Sequence, residues 1–118
     1  MIFMNWGKIA LVDLYNCDKD YIKNENKIEE YLVELCKKIK MKRFGNPKIK
    51  RFGDGNLEGY SAFQFIETSS ITAHFDETKN RAFIDVFSCK DFDENVVEKF
   101  SKNFFKASDS KIKCFLRK

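Results

Sequence analysis

The run Ala82-Phe83-Ile84-Asp85-Val86-Phe87 is almost wholly apolar, and it constrains the fold more than any other stretch. A strand apolar on both faces belongs in the middle of a sheet, covered from both sides. Residues 81–88 therefore read as a central strand. Residues 70–75 read as the strand before it, joined by the polar turn Asp76-Glu77-Thr78-Lys79-Asn80. Residues 59–66 form another, and residues 8–16 a further buried one. At the carboxyl end Ile112, Cys114 and Leu116 alternate with Lys111, Lys113 and Phe115, which gives a last strand.

Two segments carry the helical period instead. After a polar stretch at 17–26, Ile28, Tyr31, Leu32, Leu35, Cys36 and Ile39 share one face. Glu29, Glu30, Glu34, Lys37 and Lys38 fill the other, so 25–40 is an amphipathic helix with acid before base along its dipole. Asp93 is placed to cap a second helix over 94–107, with Val96, Val97, Phe100, Phe104 and Phe105 inward. Between these helices, 41–57 is basic and punctuated by Gly45, Pro47, Gly53 and Gly55, with a strand expected near 48–52. Lys-Arg-Phe-Gly occurs twice there, at 42–45 and 50–53, as two sides of a loop or as a basic, aromatic patch for phosphates.

The order is thus β-α-β-β followed by β-β-α-β. So many strands with so few helices imply an α/β (α+β) two-layer sandwich, an antiparallel-rich sheet with both helices on one face. The other face then needs a cover, and 13 Phe in 118 residues point to a partner subunit. The length suits a single domain over 1–118.

Composition narrows the function. Hydrophobic residues are 43% and charged residues 34%, a globular balance. No apolar run approaches the roughly 18 residues a membrane span needs. The apolar start, Met1 to Trp6, lacks a basic n-region and a small-residue cleavage site, so a cytoplasmic chain is expected. A net charge of +4 does not by itself call for nucleic acid. A nucleic-acid module resting on Lys37 to Lys42, Arg43, Lys48, Lys50 and Arg51 is opposed by the acidic start of helix 25–40. Cys17, Cys36, Cys89 and Cys114 have no CxxC spacing, and His74 is the only histidine, so no zinc site is expected.

The usual enzyme motifs are missing: no GxGxxG, no P-loop, no GxSxG. What stands out is Glu67-Thr68-Ser69-Ser70-Ile71-Thr72-Ala73-His74, dense in hydroxyls. Fifteen residues after His74 comes Cys89, at the end of the apolar strand. If 70–75 and 81–88 form a hairpin, His74 and Cys89 lie toward opposite ends of it. They then meet only by folding at the sheet edge or across an interface. Taken alone, these residues also fit an ordinary Ser/Thr-rich strand, a core His and a core Cys.

Ser69-x-x-x-x-His74 followed by Ile84-Asp85-Val86-Phe87-Ser88-Cys89 resembles the short prokaryotic S-adenosylmethionine decarboxylases. Leu11-Val12-Asp13-Leu14-Tyr15-Asn16-Cys17-Asp18 is similar to that family's amino end, and Gly59-Tyr60-Ser61-Ala62 to its Gly-x-Ser-Gly strand. The match runs from about residue 7 to 117. It implies the family's sandwich fold, a homodimer with active sites between protomers, and a cofactor made from the chain itself. Ser69 would attack the carbonyl of Thr68, and β-elimination would cut the chain between Thr68 and Ser69. A pyruvoyl group would remain at position 69. Its ketone would form a Schiff base with the substrate amine and accept the electrons released with carbon dioxide. By the same resemblance His74 assists self-processing, Cys89 reprotonates the substrate carbon, and no metal takes part. The implied product feeds polyamine (spermidine) synthesis.

The chain departs from the family at identifiable places. Thr68 stands where the family has Glu, and Ser70 where it has His. Phe75-Asp76-Glu77-Thr78 replaces Thr-Trp-Pro-Glu, so Thr78 stands where the family's acid holds the ribose hydroxyls. These departures keep alternatives open: a pyruvoyl-dependent ornithine or arginine decarboxylase, or an unprocessed paralogue that regulates a partner. For a small basic substrate the candidate carboxylates are Asp13, Asp76, Glu77 and Asp85. Ser70 is the alternative cleavage serine.

Overall fold

The computed structural model describes residues 5–118. The first four residues of the apolar start read for a signal peptide lie outside them. Within the described range the order is β1 (Gly7–Tyr15), α1 (Lys19–Ile22), α2 (Glu25–Lys38), β2 (Lys48–Phe52), β3 (Gly59–Ile66), β4 (Ser69–Asp76), β5 (Arg81–Ser88), α3 (Glu94–Phe104) and β6 (Asp109–Arg117). The strands form one six-stranded sheet in the order β2-β3-β4-β5-β1-β6, every neighbouring pair antiparallel. The apolar strand β5 lies inside the sheet, between β4 and β1, as its sequence requires.

Strand alternation divides the sheet into two unlike faces. Ala10, Val12 and Leu14 of β1, Ile71 and Ala73 of β4, and Ala82, Ile84 and Val86 of β5 are fully buried under the helices. The alternate positions Leu11, Asp13, Phe63, Thr72, His74, Phe83, Asp85 and Phe87 form the opposite, open face. Phe65 and Phe115 lie on it too, 56% and 55% exposed.

Local chemistry sets the helices. The side chain of Asn24 accepts from the Lys27 N–H at 3.1 Å and starts α2. The helix buries Ile28, Tyr31, Leu32, Leu35 and Cys36, the stripe its spacing predicted. It ends at Lys38, and Lys40 turns left-handed (φ 58°). Asp93 caps α3 by accepting from Asn95 N–H at 2.9 Å. Tyr31 joins the two helices. Its ring lies 4.7 Å from that of Phe105, and its hydroxyl meets Ser101 Oγ at 2.5 Å in the core. Burying a side chain of this size contributes about 2 kcal/mol.

Two differences from the sequence reading are local. Residues 19–22 form a single helical turn, capped by Asp18 and anchored by Ile22, inside the stretch read as polar. The helix read over 94–107 stops at Phe104, because Phe105 is the C-cap and Lys106 is left-handed (φ 53°). Phe105 is nonetheless fully buried, so the apolar pattern runs past the end of the helix.

Candidate functional site

The chemistry-bearing residues gather at the two ends of β4. At its start, β3 and β4 are joined by the two residues Glu67 and Thr68, and Ile66 pairs with Ser69. Thr68 is left-handed (φ 62°), a strained conformation for a β-branched residue. The Thr68 carbonyl accepts the Cys89 N–H at 3.4 Å, and the Glu67 N–H donates to Lys42 O at 3.1 Å. Ser69 points to the helix side and donates its hydroxyl to Ser88 Oγ at 2.6 Å. Ser88 is fully buried and also accepts the Lys90 N–H at 2.9 Å.

Lys8 completes this end. It pairs with Ser88 across the sheet and is 7% exposed. Its ammonium donates to Asp91 at 3.0 Å, to Glu94 at 2.9 Å and to the Phe92 carbonyl. Burial by itself pushes this amine's pKa down, but the hydrogen bonds and charges of Glu94 and Asp91 outweigh it and hold the pKa raised. The segment after Cys89 is thereby tied to β1.

The other end of β4 carries His74, exposed on the open face. Its Nδ1 lies 2.9 Å from Ser61 Oγ, its register partner on β3. Gly59 leads into that position because a side chain there would strike the Phe75 carbonyl, 2.1 Å from a Cβ. A pocket of about 210 Å³ borders His74, with Asn56, Leu57, Asp76, Arg81 and Phe83 among its walls.

His74 and Ser69 are not brought together within one chain. They are five residues apart on a single strand, about 16 Å at the usual rise. Their side chains leave opposite faces of the sheet. The Thr68 carbonyl, Ser69 and Cys89 do meet.

The candidate substrate carboxylates separate as well. Asp13 and Asp85 line an open-face groove of about 530 Å³ with Leu11, Tyr15, Lys111, Ile112 and Lys113. Burial pushes the Asp85 carboxyl up, the His74 charge and the Thr72 hydroxyl pull it partly back, and Asp13 adds to the rise. Glu77 sits elsewhere, its two oxygens held by Arg51 at 2.6 and 2.7 Å. Asp76 is paired with Arg81, and the Thr78 hydroxyl donates to Asn56 O at 3.3 Å. Of the other cysteines, Cys17 and Cys36 are buried, with thiols pushed up by burial to about 12 and about 11, and act as core filler.

Sequence reasoning did not assign Ser61, Ser88 or Lys8 to this chemistry. Ser61 was visible only as part of a strand motif, although counting a hairpin with a two-residue turn puts it opposite His74. Ser88 was visible only as the motif residue before Cys89. Lys8 sits at a core-facing position of an apolar strand, a signal that a buried charge there needs partners.

Comparison with known proteins places this geometry in a wider set. The family model for S-adenosylmethionine decarboxylase matches residues 8–118. An S-adenosylmethionine decarboxylase proenzyme of Clostridium botulinum (strain Loch Maree / Type A3) is 29% identical over 112 residues, covering 94% of this chain and 93% of the relative. Another, from Caldicellulosiruptor saccharolyticus, is 29% identical over 83 residues, 70% of this chain and 64% of the relative. The crystal structure of the adenosylmethionine decarboxylase from Aquifex aeolicus VF5 superposes with a TM-score of 0.79 at 19% identity, covering 96% of this chain and 91% of that one. The family match takes in both ends of β4. This chain belongs to the S-adenosylmethionine decarboxylase family.

Proposed function

We propose that the chain is a self-processing, pyruvoyl-dependent S-adenosylmethionine decarboxylase that acts as a homodimer in polyamine synthesis. The observation that carries this reading is the hairpin turn at Thr68–Ser69. There the carbonyl of the left-handed Thr68, a serine hydroxyl and the backbone of Cys89 converge on one peptide bond. Ser69 Oγ attacks the Thr68 carbonyl carbon, the amide C–N bond breaks, and the freed nitrogen takes the hydroxyl proton. The Cys89 N–H is the donor on the oxygen where negative charge develops. Loss of the Ser69 α-proton then expels the Thr68 carboxylate. Water releases ammonia and leaves the new amino end as a pyruvoyl group. The residues present fit that group: its carbons come from Ser69, and position 69 opens the paired strand β4. When formed, it supplies an electron-withdrawing carbonyl that stabilises charge on the substrate carbon as carbon dioxide leaves.

His74, held by Ser61, serves as the proton-transfer group, and the half-buried Cys89 returns a proton to the substrate carbon. The separation of about 16 Å between His74 and Ser69 supports a site shared between two copies. Two open faces packed antiparallel set the His74 end of one chain over the Thr68–Ser69 turn of the other, where it reaches the peptide bond from the side opposite the Ser69 hydroxyl. The exposed Phe65 and Phe115 are covered in the same arrangement.

Adenosylmethionine is the substrate named for the relatives and is proposed here. Asp13 and Asp85, the two carboxylates of the open-face groove, support a second reading, decarboxylation of a small basic amino acid such as ornithine or arginine. Thermal shift against the three compounds ranks them, because a ligand of the native state raises its melting point.

Intact mass under denaturing conditions tests the reading. Two fragments divided between 68 and 69 are expected, the later one lighter by one ammonia than a hydrolytic product. Ser69→Ala leaves one uncut chain. A wild-type chain that remains a single 14.0 kDa species overturns self-processing and favours the non-catalytic paralogue. Cutting that persists in Ser69→Ala moves the reaction to Ser70.

A further inference from the structure

We propose that Ser88 is a positioning residue for self-processing, holding the Ser69 hydroxyl while its neighbour Cys89 holds the carbonyl that hydroxyl attacks. The inference deepens the self-processing reading and rests on it. Adjacent residues thus grip the two reacting groups. The Ser88 side chain takes the Ser69 O–H at 2.6 Å, and the Cys89 backbone N–H takes the Thr68 carbonyl at 3.4 Å.

A strand serine has three staggered wells for its hydroxyl. The bond to Ser88 selects one of them. Ser88 is itself fixed, because it is fully buried and accepts a second bond from the Lys90 N–H at 2.9 Å. Its oxygen takes both the Ser69 O–H and the Lys90 N–H, so toward Ser69 it acts as an acceptor. Ser69 therefore keeps lone pairs free for attack. In the reaction the Ser69 oxygen–carbon bond forms, the Thr68–Ser69 C–N bond breaks, and the hydroxyl proton ends on the released amine. Ser88 gains and loses nothing. Its contribution is alignment, which in such intramolecular attacks is worth about tenfold to a hundredfold in rate.

The test follows freshly translated chain by intact mass for wild type, Ser88→Ala, Ser88→Thr and Ser88→Val. Thr and Val fill the same space and differ in the hydroxyl, so packing losses cancel between them. Expected are cutting slowed by about tenfold or more in the Ala and Val variants and near-wild-type cutting in Thr. Hydroxylamine, which intercepts the ester, should trap less ester in Ala and Val. Equal rates for Thr and Val, or wild-type rates for Ala, overturn the assignment. So does slow cutting with accumulated hydroxylamine-sensitive ester, which puts the defect in elimination instead. A wild-type chain that never cuts overturns the self-processing reading itself and this assignment with it. Normal wild-type cutting with unaffected Ser88 variants overturns the assignment alone.

Discussion

The two ends of β4 differ in nearly every physical respect. At the Ser69 end the side chains point under the helices, the hydroxyls are satisfied by buried partners, and Lys8 ties the following segment to β1. At the His74 end the imidazole stands on the open face, with Ser61 Oγ at 2.9 Å as its polar neighbour. One end is a fixed, buried frame around a peptide bond. The other is an exposed His74–Ser61 pair with no such bond beside it. The contrast teaches that one chain carries both parts of the proposed chemistry without bringing them together.

Breaking the buried end has the larger expected effect. Lys8→Met removes the ammonium of a 7% exposed lysine and leaves Asp91, Glu94 and the Phe92 carbonyl without it. The acids are themselves partly exposed, so the loss is about 2 kcal/mol rather than the full cost of a buried orphan charge. Urea denaturation of the uncut Ser69→Ala chain checks this. A loss within error of zero would mean that the segment after Cys89 is held by other contacts.

A smaller effect, confined to the open face, is expected from Asp85. Its folded pKa lies above the ordinary 3.8, chiefly through burial. A raised carboxyl binds its proton more tightly in the folded state. Its stabilising contribution is therefore complete below the ordinary value and is lost as pH climbs through the folded one. In the Ser69→Ala background, Asp85→Asn should gain melting temperature over its parent as pH rises from acid to neutral. A difference independent of pH would show that Asp85 is not held in a desolvating site.

Much of this was legible in the sequence, for stated reasons. The stripe from Ile28 to Cys36 and the apolar run at 82–87 each matched one period over a full element. The structure places both where the pattern put them. Helix α1 was not legible, because one turn with one apolar anchor, Ile22, has no period to detect. The end of α3 was misjudged because Phe105 is buried from the cap position rather than from within the helix. Within the site, Ser69, His74 and Cys89 were visible as spacing, and their separation along a hairpin was predictable by counting. The roles of Ser61 and Ser88 depend on register, which pairs Ser61 with His74 and Ser69 with Ser88. Register emerges from the turns, Glu67-Thr68 between β3 and β4 and residues 77–80 between β4 and β5, and not from any strand alone. The pairing of Lys8 with Asp91 and Glu94 spans more than 80 positions, beyond the reach of any local pattern.

The most direct test of a shared site is complementation between two damaged chains. Ser69→Ala cannot be cut but still offers His74, and His74→Ala offers Ser69 without the histidine. With the two chains differently tagged, expressed separately and together, intact mass follows the His74→Ala chain. It should stay whole alone and be cut between 68 and 69 when the Ser69→Ala chain is present. Cutting of the His74→Ala chain by itself, or no cutting in either setting, would contradict a site built from the opposite ends of two copies.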